Sequence, residues 1–165
     1  LDRVLFVPAG EPWRKAGRSI TAAGHRLEMT RLAVASNASF AVDDLEVRRK
    51  GPTYTVDTLR ELRERLGFGD ELYFLVGQDA LADLPHWKDP AGIASLAWIV
   101  VAPREGVQLP DLPFAASRLI AIKMPFIGVS STDIRERLAA GRSARYLVPD
   151  SVLAYIKARG LYGEG

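Results

Sequence analysis

The stretch Gly128-Val129-Ser130-Ser131-Thr132-Asp133-Ile134-Arg135 decides how the rest of the chain is read. It follows an apolar run at 119–122 and a turn-like 125–128, then opens a helical pattern with Ile134 and Leu138 four apart. Ser130 or Ser131 is the natural N-cap, and Ser130 with Asp133 has the spacing of a capping box. Unpaired amides and the positive end of the helix dipole then face whatever lies above this turn. Arg135 shares a helix face with Ser131, and helical side chains lean toward the N-terminus, so its guanidinium can reach back to the helix mouth. Hydroxyls, amides and an arginine meeting there suit an anion, most simply a phosphate. The same residues also read as a plain capped helix with a solvated arginine.

Outward from this turn, the totals set bounds. A length of 165 residues fits one domain, and 48% hydrophobic residues suffices for a substantial core. Lys and Arg number 22 against 20 Asp and Glu, a net +2 that demands no nucleic-acid partner. Without cysteine there is neither a disulfide framework nor a thiolate metal site, while a metal held by oxygens remains open. No apolar stretch reaches the length of a membrane span and no signal-peptide pattern precedes the first apolar run, so a soluble cytoplasmic protein is expected.

Apolar β-type runs alternate with helical patterns along the chain. Residues 4–7 read as a buried strand followed by a loop that carries Trp13, Arg14, Lys15 and Arg18, a basic connection that suits an anionic ligand or is simply solvated. A helix is expected over 22–35, with His25 structural near its start, and β-type alternation over 40–47. A second helix follows 53–58 with Leu59, Leu62 and Leu66 as its stripe; Thr55 can cap it while Tyr54 offers a flat face. Residues 72–76 form the most convincing buried strand, and it stops at Gly77-Gln78-Asp79. Glycine permits close backbone approach there, and Asp79 can accept from ribose hydroxyls or cap the next helix. Asp89-Pro90 looks like an N-cap followed by proline at the first helical position, and Trp87 can stack on a ring or pack in the core. Strands at 96–102 and 119–122 and a last helix from Pro149 to Gly160 complete the pattern.

This alternation indicates an α/β fold, a parallel sheet wound on both faces. Right-handed crossovers are expected to bring Lys15, Thr55, Asp79, Arg104 and Ser130 to one edge of it.

Taken together, these segments resemble the bacterial nicotinate mononucleotide adenylyltransferases of the nucleotidyltransferase superfamily, over residues 4–162. The resemblance is carried by Phe6-Val7-Pro8-Ala9-Gly10 with Lys15, by His25-Arg26-Leu27-Glu28-Met29, and by Thr53-Tyr54-Thr55-Val56-Asp57-Thr58-Leu59. It continues in Gly77-Gln78-Asp79 with Leu84 and Trp87-Lys88, in the opening motif, and in Arg145-Tyr146-Leu147-Val148-Pro149. It implies a Rossmann-like fold and adenylyl transfer from ATP to nicotinate mononucleotide, with Mg2+ accompanying ATP. It also implies site roles: Lys15 and Arg135 catalytic, with Gly77, Asp79, Ser130, Ser131, Thr132 and Arg135 on ATP. Lys15, Tyr54, Thr55, Trp87 and Lys88 fall to the mononucleotide, and no protein residue is assigned to a metal.

The family's first strand and its glycine-rich, histidine-bearing loop have no counterpart in this sequence. On that reading the chain lacks its first, central strand, the single nucleotidyltransferase domain of 1–165 is incomplete at its N-terminus, and an upstream segment is expected. Nicotinamide mononucleotide or another phosphate ester as acceptor, and a nucleotide-binding module without catalysis, are the alternatives. Partners are expected to be the two small substrates, with no nucleic acid and no membrane; a homo-oligomer stays open.

Overall fold

Three consecutive apolar side chains that all bury, Ile99, Val100 and Val101, mark strand β6 (Trp98–Ala102) as covered on both faces. Such a strand belongs in a parallel sheet, where helical crossovers cover each side. The computed structural model describes residues 1–12, 20–102, 109–125 and 127–163. In chain order the described elements are β1 (Val4–Phe6), β2 (Glu11–Pro12), α1 (Ala23–Val34), β3 (Phe40–Val42), α2 (Leu45–Arg48), β4 (Pro52–Thr53) and α3 (Thr55–Arg65). They continue with β5 (Tyr73–Gly77), α4 (Gln78–Asp83), α5 (Pro90–Leu96), β6, β7 (Leu119–Ala121), α6 (Ser131–Ala139) and α7 (Asp150–Ala158). The chain divides into two compact units, one of Leu1–Pro52 with Ile127–Gly165 and one of Thr53–Phe126.

In the first unit β1 pairs with β3 in parallel, Val4 opposite Phe40 and Phe6 opposite Val42. Helix α1 packs on β3 and on α7, and Leu27, Leu45, Val152 and Ile156 are buried. His25 shares a 2.8 Å hydrogen bond with the Tyr155 hydroxyl, which gives it the structural role expected of it. The Arg26 guanidinium donates to the carbonyls of Gly10 (2.7 Å) and Thr21 (2.9 Å), and burial works against its charged form. Helix α7 stops at Gly160, whose φ of +60° suits glycine, and the Leu161 amide closes the turn on the Ile156 carbonyl.

The β-type alternation expected over 40–47 is realised only as far as Val42. Beyond it the Asp43 carboxylate accepts the Leu45 amide at 2.9 Å and Arg48 bridges back to Asp44 at 3.0 Å, so the chain turns into the short helix α2. Local side-chain bonds of this kind compete with strand ladders.

In the second unit β5, β6 and β7 form one parallel ladder, with Tyr73 opposite Trp98 and Ile99 opposite Leu119. Helices α3, α4 and α5 bury Val56, Leu59, Leu81, Ile93 and Ala94 with Ile99 and Val101. Val56 therefore joins Leu59 on the buried stripe, which reading Leu59, Leu62 and Leu66 alone missed. Tyr54, in extended backbone, is the N-cap of α3 and makes no side-chain cap bond, so Thr55 is the first helical residue and not the cap.

Helix α5 begins as its sequence indicates, with Asp89 as N-cap accepting the Gly92 amide at 2.9 Å and Pro90 at the first position. Asp89 adopts left-handed backbone (φ +51°), uncommon for a residue with a side chain. A Cβ on Gly92 would lie 2.2 Å from Asp89 Oδ2. Alanine normally stabilises a helix interior by about 1 kcal/mol over glycine, a gain smaller at the first turn. A lost cap costs about 1 kcal/mol, which outweighs that gain. Gly92→Ala is therefore expected to lower the chemical-denaturation midpoint, and a raised midpoint would refute this account of the turn.

Candidate active site

The anion-binding features of the first unit gather at the mouth of α6. Ser130 holds extended backbone (φ −115°, ψ 149°), and its Oγ accepts the Asp133 amide at 3.1 Å. Of the two candidate caps, Ser130 is the one used. The side chain of Arg135 leans back along the helix, and its Nη2 donates to Thr132 Oγ1 at 3.3 Å. Ser131, Thr132 and Arg135 are all exposed, and no residue of α6 is buried. The amides of the first turn that Ser130 leaves unbonded, two hydroxyls and a guanidinium thus share one helix end, where the macrodipole adds a fixed positive potential. An oxyanion is the natural ligand of such an end.

In the second unit a different group assembles. The Lys88 ammonium stands 4.5 Å from the centroid of the Tyr54 ring and 2.8 Å from Asp57 Oδ2. Tyr54 and Thr55 occupy the N-terminal end of α3, so backbone amides, an aromatic face and a cation lie together. Trp87 is half-buried; its Nε1 donates to Asp83 Oδ2 at 3.0 Å and its ring meets Phe74 edge-on at 6.1 Å. This set suits a flat ring bearing a negative charge. Gly77 is the last residue of β5 and the N-cap of α4, at the carboxyl end of the strand, where open parallel sheets place ligands. Asp79 follows in the first turn of α4, exposed and without a capping bond, so the reading of it as a cap does not hold.

The structure thus groups Ser130, Ser131, Thr132 and Arg135 in one unit. It joins Tyr54, Thr55 and Lys88 in the other, which also holds Trp87, Gly77 and Asp79. Lys15 and Arg104 lie outside the described residues. Sequence reading missed Asp57 and Arg60. Asp57 carries Lys88 on one oxygen and Arg60, at 3.2 Å, on the other. Arg60 sits three residues after Asp57, a helical ion-pair spacing that offered a signal, but Lys88 is 31 residues away and offered none.

A family model described as cytidylyltransferase-like matches residues 1–137. A probable nicotinate-nucleotide adenylyltransferase from Roseiflexus sp. is 48% identical, the match covering 98% of this chain and 83% of the relative. The chain belongs to the nicotinate-nucleotide adenylyltransferase family. A further member of that family, from Thermomicrobium roseum, is 46% identical over 98% of this chain and 78% of its own length. The fold is that of a solved adenylyltransferase, a Plasmodium falciparum nicotinic acid mononucleotide adenylyltransferase complexed with NaAD. The TM-score is 0.77 at 18% identity, over 98% of this chain and 83% of that one. An α/β, Rossmann-like nucleotidyltransferase fold with parallel strands is therefore established for this adenylyltransferase chain.

No side chain of α6 in this family member is fully buried, so its first turn leans on the Ser130 cap. Ser130→Ala is expected to remove about 1 kcal/mol of local stability. Hydrogen exchange at the Asp133 amide should then quicken about fivefold, with exchange in β5 and β6 unchanged. Unaltered exchange at Asp133 would show that the hydroxyl is not what holds this turn.

Proposed function

We infer that this chain transfers the adenylyl group of ATP to nicotinate mononucleotide, releasing pyrophosphate and forming nicotinate adenine dinucleotide, a step of NAD biosynthesis. The observation that carries the reading is the exposed mouth of α6, with Ser130, Thr132 and Arg135 around unbonded amides, in a chain that belongs to this enzyme family.

An oxygen of the mononucleotide phosphate attacks the α-phosphorus of ATP in line. The new P–O bond forms as the bond to the bridging oxygen breaks, and pyrophosphate leaves with the electron pair. No covalent enzyme intermediate is needed. The protein supplies alignment and stabilisation of charge on the leaving group, which accounts for a site rich in donors. Ser130, Ser131, Thr132 and Arg135 take the ATP phosphates, with Lys15 and Arg135 on the charge that develops, and Gly77 and Asp79 meet the nucleotide sugar. Tyr54, Thr55, Trp87 and Lys88 take the mononucleotide: the ring against the aromatic faces, and its carboxylate toward Lys88 and the amides that open α3. Lys15 also approaches its phosphate.

Among the described residues no group of three or more His, Asp or Glu is placed to hold a metal. A donor set of this kind fits magnesium that would arrive with ATP and not be caged by protein carboxylates. Bound with the nucleotide, it would neutralise phosphate charge. Among the described residues no helix is long and apolar enough to cross a membrane; the cytoplasm is the proposed compartment.

Pyrophosphate release by the full-length enzyme, with nicotinate and nicotinamide mononucleotides supplied side by side, tests the acceptor. Faster turnover of the amide would overturn the choice. Arg135→Ala is expected to lower kcat by about a hundredfold, the loss typical of one preorganised charge. Its thermal midpoint should stay within about 2 °C of wild type, because the side chain is exposed and its bond to Thr132 lies on the surface of the same helix. Wild-type turnover in that variant would remove Arg135 from the mechanism. Trp87→Ala should raise KM for the mononucleotide about tenfold with little change for ATP, as expected for a lost stacking face. Equal rises would contradict ring stacking.

A further inference from the structure

Four charged side chains tie α3 to the turn that precedes α5. Lys88 Nζ lies 2.8 Å from Asp57 Oδ2, and Asp57 Oδ1 lies 3.2 Å from Arg60 Nη1. Arg60 Nη2 lies 2.6 Å from Asp89 Oδ2, and Asp89 Oδ1 accepts the Gly92 amide. Of these residues only Lys88 has a role in the reaction set out above. Arg60 is the member that grips two carboxylates at once.

As a source of folding stability this network is poor. Arg60 is 49% exposed and its partners are 32% and 43% exposed, where ion pairs contribute little. As a geometric device it is effective. Left-handed backbone at Asp89 sets the course of residues 87–89, and its carboxylate is held on Oδ1 by the Gly92 amide and on Oδ2 by Arg60. Arg60 holds it from a helix anchored by the buried Val56 and Leu59. The direction in which Trp87 and Lys88 leave the turn follows from Asp89.

We propose that Arg60 is a positioning residue that sets the preference for a ring carrying a carboxylate over one carrying a neutral carboxamide. It fixes Asp89, and with it the turn that presents Lys88 over Tyr54. It also shares Asp57 with Lys88. A ligand carboxylate competes with Asp57 for the ammonium, and Asp57 so displaced keeps its bond to Arg60, which offsets the loss. A carboxamide brings no charge to make that exchange. This inference rests on the assignment of Tyr54, Trp87 and Lys88 to the mononucleotide.

The test is steady-state kinetics of the full-length enzyme with nicotinate mononucleotide, nicotinamide mononucleotide and ATP. Arg60→Ala is expected to raise KM for the nicotinate substrate about fivefold, which is about 1 kcal/mol. KM for ATP and the thermal midpoint should hold, and the acid-to-amide ratio of kcat/KM should fall. Arg60→Lys, which keeps the charge but lacks the fork that reaches both carboxylates, should recover part of the loss. A merely structural role would move both substrates and the midpoint together. Equal KM rises for the two mononucleotides overturn the proposal. So does an unchanged nicotinate KM in Arg60→Ala while Trp87→Ala still raises it, an outcome that leaves the mononucleotide site standing. If Trp87→Ala is also without effect, the site assignment falls, and the role of Arg60 falls with it.

Discussion

Burial of β6 on both faces is the constraint from which the second unit follows. Ile99 and Val101 on one face and Val100 on the other are all buried, so the strand needs cover on each side and neighbours along each edge. Parallel pairing with β5 and β7 meets the edges, the connection from β5 to β6 brings α4 and α5 onto the sheet, and α3 joins them from ahead of β5. Each crossover has to leave a strand at its carboxyl end. That requirement puts Gly77 and Asp79 at the end of β5.

The helix mouth of α6 reaches a similar chemistry by a different route. No residue of that helix is fully buried. Ser130 sets the first turn through one hydrogen bond, and Arg135 returns to Thr132 because helical side chains lean toward the N-terminus. On the proposed reading, anchored aromatic and cationic groups serve a rigid ring, while an exposed helix end serves phosphates, whose charge is recognised by donors and dipole more than by shape.

What was legible in the sequence divides along the same line. Strands β5, β6 and β7 announce themselves as apolar runs, and the Ser130 cap, the Asp89-Pro90 start of α5 and the stop at Gly160 are local signals with local causes. Where two local signals compete, reading was less secure: the apolar residues after Val42 looked like more strand, yet Asp43 and Asp44 turned them into helix. Thr55 looked like a cap, but the extended Tyr54 took that place. The network through Arg60 lay beyond reach, since Asp89 is 29 residues away and the bond exists only after the fold has brought α3 to that turn.

The exposure of α6 carries a consequence for how such an enzyme can change. Ser131, Thr132 and Arg135 at its mouth are exposed and so are free of the steric veto that governs interiors. On the proposed reading, grip on the nucleotide can drift, tighten or switch through exchanges at these three positions without a compensating repair elsewhere, and a laboratory library confined to them would sample recognition while leaving foldability nearly constant.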